Sequence, residues 1–265
     1  MKRSTGFTFT ILALLMMCAI NGMAQTDTLD FKDHKLRTKQ LKTGQKQYLV
    51  YLQQVGQPKK LNLSIWTREV SLVSKSGTDC FMITQKWFSN DTTNYRFISS
   101  INRAADFAPV YHLETIGSKV KAFNWYTDHI NGADTISNNQ QKTFTLRLDQ
   151  PCFNWNLDIE TLEMLPLASG KQFVLRLYDA GLGQPQNVNY KVSGEEVLTT
   201  LDHQKVDCWK LLLEGNHGQV HYTQTFWVSK KGHEFLMEID EINGMYRYKV
   251  KLPGYSPDML QKFKL

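Results

Sequence analysis

Two histidine-bearing segments late in the chain have side chains that could bind a metal ion. His217 and His221 lie four residues apart, and His233 is followed by Glu234. On a helix, two histidines at this spacing would face one metal, but the surrounding residues predict a turn and a strand. A hairpin would separate His221 from His233 by about seven strand residues, or about 23 Å. Since zinc needs three or four converging ligands, we expect no metal site here.

Carboxylates in the same hairpin are candidates for acid–base chemistry. Glu238 and Asp240 share one face of a predicted strand, at the order of spacing used by retaining glycosidases. The predicted hairpin also brings Asp240 near His221, an arrangement that orients a base in hydrolases. No nucleophile-elbow motif lies nearby. An envelope hydrolase centred on His221, Glu238 and Asp240 is one alternative, while solvated polar side chains are the favoured interpretation.

Large apolar side chains are the candidates for ligand binding. Aromatic residues make up 12% of the chain. Trp227 must face opposite to Phe226 along its strand, so both faces carry large rings. Sheets that curl around a filling have this pattern. We therefore expect a lipid-like, hydrophobic or amphipathic ligand against a curved sheet, with contacts from Trp209, Trp227, Leu175, Tyr178 and Phe226.

The six tryptophans have a second interpretation. Their rings could stack on sugars or line a lipid groove, although packing in the core is the default explanation for most of them. They are Trp66, Trp87, Trp125, Trp155, Trp209 and Trp227.

The elements that must position these residues are mostly strands. Alternation at residues 61–65 and in the runs that follow predicts strands separated by turn residues. Residues 156–165 have near-helical leucine spacing, and Pro166 ends the run. Asn243-Gly244 is a strong signal for a tight hairpin. The sequence predicts a mainly β protein: a long, strongly curved antiparallel sheet or open half-barrel, plugged by one short helix.

The two halves of the β region, residues 61–132 and 171–252, echo each other. Glu69-Val70 corresponds to Glu196-Val197 at an offset of about 127 residues, and Gly117 corresponds to Gly244. An internal duplication would produce two meander halves of this kind. Chance similarity between two meanders would produce part of it.

The N-terminal residues 1–24 have the composition of a secretory signal peptide. Lys2 and Arg3 precede an apolar run over residues 7–20, and Ala24 ends a small-residue cleavage site. Cys18 suggests a lipid anchor instead, but a large residue precedes it where a small one is required. We expect export to the periplasm or beyond. Residues 25–47 then form a polar leader or an edge segment, and residues 48–265 form the β domain.

The charge distribution, the length of the apolar runs and the absence of a phosphate-binding motif exclude several functions. Removing Lys2 and Arg3 with the signal peptide lowers the formal net charge from +6 to +4. The basic residues are mixed with acidic ones, so we expect no nucleic-acid partner. No later stretch is apolar for long enough to span a membrane, and no glycine-rich phosphate loop indicates a cofactor.

Three cysteines remain after removal of the signal peptide: Cys80, Cys152 and Cys208. An odd number in an exported chain allows at most one disulfide. The favoured interpretation is three buried thiols that pack as small apolar groups.

The segment from Leu157 to Leu252 resembles an uncharacterised bacterial family of exported envelope proteins with a curved antiparallel sheet. More distantly, the chain resembles the open half-barrel of periplasmic lipoprotein-carrier proteins. The resemblance implies the architecture and a role with a hydrophobic ligand, and it supplies no catalytic residues. It rests on Leu165-Pro166-Leu167, Gly170, the run Tyr190 to Glu196, the strand Asp207 to Leu211, and the run Phe226 to Gly232.

Together these features favour an exported, non-enzymatic envelope protein that binds an amphipathic ligand or an envelope partner. A second alternative to this function is a structural scaffold that binds protein through an exposed sheet edge. The segment near Leu61 is its candidate edge strand, because unpaired backbone groups can template a partner.

Overall fold

The computed structural model describes residues 26–255 except residues 58, 92 and 94, so the predicted signal peptide lies outside the described residues. Sixteen strands occur in the described part of the chain. They are β1 (Thr26–Leu29), β2 (Gly44–Gln54), β3 (Asn62–Lys75), β4 (Thr78–Ser89), β5 (Arg96–Arg103), β6 (Pro109–Ile116), β7 (Lys119–Trp125), β8 (His129–Gly132), β9 (Thr145–Arg147), β10 (Phe153–Asn154), β11 (Gln172–Tyr178), β12 (Gln186–Thr199), β13 (Lys205–His217), β14 (Val220–Ser229), β15 (Phe235–Ile242) and β16 (Met245–Lys251).

All sixteen strands belong to one sheet. Its order is β1-β11-β12-β13-β14-β15-β16-β2-β3-β4-β5-β6-β7-β8-β9. The short strand β10 also pairs with β11, at residues 177–178, after the residues that pair with β1. Every pairing is antiparallel except those of β1 and β10 with β11. The sheet therefore consists of two meanders, β2–β9 and β11–β16, joined where β16 pairs with β2. It is curved and unclosed, which confirms the predicted fold class.

Tight turns fix the register of several hairpins. Asn243 and Gly244 both have positive φ, 50° and 72°, between the paired residues Ile242 and Met245. This is the backbone that a two-residue turn of the primed type requires, and Asn-Gly adopts it at low cost. The hairpin predicted at this dipeptide is confirmed.

The single α-helix of the described chain, α1 (Asp158–Met164), fills the concave face of the sheet. A 3-10 turn over Trp155–Leu157 leads into it. Every α1 residue after Asp158 is buried, and Leu157 and Leu162 belong to the main apolar core. A helix of seven residues is unstable on its own, so this burial is what keeps it folded. The short plugging helix predicted from the sequence is confirmed.

Ion pairs hold α1 to the strands around it. The Glu163 carboxylate accepts a hydrogen bond from Lys46 Nζ of β2 at 2.6 Å and from the backbone N–H of Phe235 of β15 at 3.0 Å. Glu160 lies 3.2 Å from Arg68 Nε of β3. The helix thus bridges strands on both sides of the β16–β2 junction.

Residues 26–47 pack into the fold. They supply β1 at the sheet edge, and Phe31, Leu36 and Leu41 are buried in the main core. The backbone N–H of Arg37 donates to the carbonyl of Met164 at the end of α1, at 2.9 Å. Only β1 of this segment lies at the sheet edge, because residues 44–47 begin β2, which is paired with β16 and β3.

The prediction of an edge strand near Leu61 is wrong. The strand that follows it, β3, is paired on both sides, with β2 and β4. Its partner β2 is hidden in the sequence because Lys46, at an inward position, interrupts the apolar alternation with Tyr48 and Val50. In the described chain, the sheet ends instead at β9 and at β1 with β10.

The two predicted halves correspond to β3–β8 and β11–β16. Gly117 and Gly244 occupy positive-φ turns at equivalent hairpins, between β6 and β7 and between β15 and β16. Duplication remains a hypothesis that this arrangement permits.

The three cysteines are free and buried, as favoured from the sequence. Burial raises the pKa of the Cys152 thiol to about 12 and that of Cys208 to about 11. Both thiols therefore stay protonated and poorly nucleophilic at neutral pH.

We expect Glu163→Ala to lower the free energy of unfolding by about 3–5 kcal/mol, because it leaves Lys46 and the Phe235 N–H without their buried partner. Urea denaturation would measure the change. A matched control is Glu196→Ala, which breaks an exposed pair with Lys210 and should cost at most about 1 kcal/mol. Equal losses in the two variants would contradict the anchoring role of Glu163.

Candidate functional site

A polar cavity of about 200 Å³ lies on the concave face between the two meanders. Strands β3, β4 and β5 form one wall and β12, β14 and β16 form the other. The segment that leads into α1 closes one end. We call this space the concave cavity; it is lined by Trp66, Arg68, Gln85, Trp87, Arg96, Trp155, Asn156, Asp158, Asp179, Tyr190, Gln224, Phe226, Arg247 and Lys249.

Asn156 is the hub of one wall. Its backbone carbonyl accepts hydrogen bonds from Arg68 at 2.5 Å and from Gln85 at 2.7 Å. Its side-chain oxygen accepts from Arg96 at 3.1 Å, and its amide nitrogen donates to Asp179 at 2.9 Å. These four bonds use both the backbone and the side chain of Asn156, so they fix its position relative to three strands and the loop after β11.

Two tryptophans and three cations form a second part of the lining. Trp66 and Trp87 stack with ring centroids 3.6 Å apart and an interplanar angle of 7°. The Arg96 guanidinium lies 4.1 Å from the Trp87 ring centre, and Lys249 Nζ lies 5.2 Å from that of Trp66. Arg247 is also over Trp66, at 5.9 Å. Cation–π attraction therefore orients these cations.

A carboxylate pair lies on β15, between β14 and β16 of the second wall and on the same face as Gln224 and Arg247. Glu238 pairs with Arg247 at 2.7 Å through one oxygen and with Lys249 through the other. Asp240 accepts from Gln224 at 3.0 Å through one oxygen and pairs with Arg247 through the other. All four carboxylate oxygens are thus engaged within the protein.

The two carboxyl groups titrate in opposite directions. Burial raises the pKa of Asp240, the Glu238 charge raises it further, and together they bring it to about 7. Burial would also raise the pKa of Glu238, but the charges of Lys249 and Arg247 outweigh it and lower this pKa to about 2. The pKa values of two neighbouring carboxyl groups commonly move apart in this way.

His112 lies in the same inner layer but is neutral. It is buried between Ser100 Oγ at 2.9 Å and Asn154 Nδ2 at 3.0 Å from its Nδ1. Burial lowers its pKa to about 3, assisted by the Arg96 and Lys121 charges. Asn154 in turn caps the turn before α1 by accepting from the Asn156 N–H at 3.0 Å.

The five predicted ligand contacts do not lie in one place. Phe226 lines the concave cavity, while Leu175 is fully buried in the main core. Tyr178 belongs to a second core cluster, and Trp209 packs partly buried against the main core. Trp227 is buried on the outer face. Their assignment as ligand contacts remains a prediction.

The predicted pairing of His221 with Asp240 is wrong, because strand register pairs Gln224 with Asp240 instead. His221 is exposed on the opposite face, where Nδ1 lies 3.3 Å from Asn216 Oδ1. Glu238 and Asp240 do share a face, as predicted. Among the residues that the structure describes, no three His, Cys, Asp or Glu side chains are grouped to hold a metal ion.

The polar lining of the cavity was missed from the sequence. Its signal is charged residues at inward positions of strands whose other inward residues are apolar, as in Trp66, Arg68 and Val70 of β3. A charge at such a position must be paired or face a polar cavity. Asn156 carries no comparable signal, since its contacts come from distant segments.

A second space lies on the outer face and has a different character. This groove, of about 340 Å³, runs between the β12–β13 hairpin and strands β15 and β16. Its wall is mostly aliphatic and includes Leu198, Val206, Leu236, Met237, Val250 and Leu252. The outer groove is therefore apolar, in contrast to the polar concave cavity.

Comparisons with known proteins identify a family. The sequence model of a family described as "Protein of unknown function (DUF3108)" matches residues 47–251. This confirms the expected membership of an uncharacterised family. No curated protein sequence matches the chain.

Two solved structures are similar over most of their length. A β-barrel-like protein of the domain of unknown function DUF1849 from Brucella abortus has 10% identity and a TM-score of 0.46, covering 78% of this chain and 95% of its own. The lipoprotein LppX of Mycobacterium tuberculosis has 8% identity and a TM-score of 0.27, with coverage of 86% and 96%.

None of the helices in the described residues is both long enough and apolar enough to cross a bilayer.

We expect the free energy of unfolding of the wild type, minus that of Asp240→Asn, to fall as pH rises from about 4 to about 7. The pKa of Asp240 is about 7 in the folded protein, against 3.8 ordinarily, so the folded state keeps a proton that the unfolded chain releases. The slope is at most about 1.4 kcal/mol per pH unit. Urea denaturation at several pH values would measure it.

Glu241→Gln, on the exposed outer face next to Asp240, is the control for this titration. Its stability relative to the wild type should vary much less over the same pH range. A difference between wild type and Asp240→Asn that is independent of pH would contradict the raised pKa.

Proposed function

The chain belongs to the family of proteins of unknown function DUF3108, and from its geometry we propose a non-enzymatic binding protein of the bacterial envelope, with its ligand in the concave cavity. The observation that carries the proposal is convergence: polar side chains from both meanders, far apart in sequence, line one cavity. Convergent polar groups in a concave site are typical of ligand binding.

The cavity communicates with solvent. The side chain of Arg247 is 34% exposed and that of Asp158 is 22% exposed. Buried polar groups are costly unless partners satisfy them, so such a space holds water or a polar ligand. A ligand can enter without opening the sheet, because these partly exposed residues form its rim.

The arrangement of the carboxylates supports binding rather than catalysis. Glu238 is held by Lys249 and Arg247, and neither Glu238 nor Asp240 lines the cavity. A general acid or nucleophile must reach the reacting atom within hydrogen-bond distance. All four oxygens of these two carboxylates are bonded to neighbouring side chains, which does not meet this requirement.

The position of the apolar core restricts the part of a ligand that can bind here. Helix α1 and core residues such as Leu175 fill the apolar portion of the concave face. The concave cavity next to them has a polar lining, which suits a lipid tail poorly. We therefore propose that the polar portion of an amphipathic ligand binds in the cavity. The signal-peptide composition of residues 1–24 supports an envelope location.

Native mass spectrometry of the protein purified from its own envelope fraction tests this proposal. We expect a discrete additional mass that is released on denaturation. In Gln224→Phe the mass should be lost, because a larger apolar ring occupies the cavity and the bond to Asp240 is removed.

Two control variants locate the binding site. Thr223→Phe changes the adjacent residue, which faces outward, and Met237→Gln changes the outer groove; both should retain the mass. Loss of the mass in Met237→Gln alone would move the site to the outer groove. A bare monomer in the wild type would refute the proposal and favour a scaffold that binds protein through the edge formed by β9 or by β1.

A further inference from the structure

We infer that the concave cavity binds a neutral sugar residue, an inference that names the ligand class and rests on the proposed function. Three properties of the cavity lead to it: the side-chain types of its lining, the pairing of its charges, and the mixture of hydrogen-bond donors and acceptors.

The lining contains no aliphatic side chain. Five of its fourteen residues are aromatic, three are amides and six are charged. An acyl chain is stabilised by removing methylene groups from water against apolar atoms. In this cavity it would also displace water from unpaired sides of amides and ions, which costs free energy. The aliphatic outer groove shows that this protein can build an apolar surface elsewhere.

The cations of the lining already have acidic partners. Arg96 pairs with Glu114, Arg68 lies 3.4 Å from Asp158, and Lys249 pairs with Glu238. Arg247 is shared between Glu238 and Asp240. An anionic ligand such as a phosphate would have to compete with these carboxylates and would meet their negative charge. The balance of charge favours a neutral ligand.

Hydroxyl groups match the remaining polar atoms. The amides of Gln85, Asn156 and Gln224 each make a bond within the protein, but an NH₂ group has a second N–H and an amide oxygen a second lone pair, and the Asp179 carboxylate has further lone pairs. A hydroxyl donates one hydrogen bond and accepts others, so it can bond to either kind of atom. Neighbouring hydroxyls on one ring can therefore satisfy this mixed surface where a purely accepting or purely donating ligand cannot.

Size and aromatic surface agree with a single ring. A volume of about 200 Å³ is far above the roughly 10–15 Å³ that a single water needs, so the cavity has room for a sugar ring. Trp155 lines the cavity and is half-buried, so it contributes flat apolar surface with a polar group at the edge of its ring, whereas Tyr190 is almost completely buried. The C–H faces of a sugar ring pack on such surfaces while its hydroxyls point to the amides.

Isothermal titration calorimetry with defined probes tests this inference. The probes are glucose, galactose, mannose, N-acetylglucosamine, maltose and cellobiose, with glucose 6-phosphate and decanoate as anionic and apolar comparisons. We expect at least one neutral sugar to bind more tightly than both comparisons. Its affinity should stay constant between about 0.01 and about 1 M NaCl, a range over which the Debye length falls from about 30 to about 3 Å.

Matched variants connect the binding to the cavity. Gln224→Leu removes a lining amide and should weaken sugar binding at least tenfold, whereas Thr223→Leu on the outward face should not. If Gln224→Leu fails to fold, as judged by circular dichroism, Trp155→Leu replaces it, because it removes the aromatic surface without breaking the pair with Asp240.

The outcomes separate the ligand class from the proposed function. Binding of decanoate or glucose 6-phosphate but no neutral sugar, with loss in Gln224→Leu, overturns the sugar class and leaves the binding function intact. Failure of every sugar to bind also overturns the inference, while a co-purifying mass would still support a binding protein. No binding together with a bare monomer from the envelope refutes both.

Discussion

The pairing of Arg68 with the start of α1 is the interaction on which the rest of the interior depends. This guanidinium is buried on β3, and it contacts the Asn156 carbonyl at 2.5 Å and Glu160 at 3.2 Å. A buried cation without partners would be strongly destabilising. The helix can therefore occupy only a position that brings its first turn to β3, and Glu163 then meets Lys46 across the sheet. The same side chain that anchors the helix also lines the concave cavity, so folding and the proposed binding site share one set of contacts.

This sharing explains why a polar cavity survives inside a β protein. Replacing a buried ion pair by apolar residues is often neutral or stabilising, so stability alone does not account for Arg68, Arg96 and Arg247 in the interior. Each of them instead keeps an aromatic ring or an amide in place beside the cavity. The charged network supports the lining, while aliphatic packing around Leu162 and Leu175 supplies the hydrophobic part of the folding free energy.

The sequence predicts the fold well because its signals are local. Alternation in β3 and the Asn243-Gly244 dipeptide depend on residues close in the chain, and the plugging helix follows from leucine spacing and Pro166. Strand β2 was missed because its inward Lys46 is bonded to Glu163, 117 residues away. A charge at an inward position normally indicates a solvent-facing residue, and only the tertiary fold reveals the partner that reverses this meaning.

The site is less predictable for the same physical reason. His221 was placed beside Asp240 by counting along a hairpin, yet a shift of one residue sends a side chain to the other face of a strand. The bulge between Trp227 and Val228 is such a shift. Residues of the concave cavity come from six strands, the 3-10 turn before α1, the first residue of α1 and the loop after β11, and Asn156 joins them only through long-range hydrogen bonds. The proposed binding surface lies across the junction of the two meanders and depends on how β16 meets β2, and that junction has no local signature in the sequence. The concave cavity, with one wall from each meander, is therefore a property of the complete sheet, since neither meander alone contains both Arg68 and Gln224.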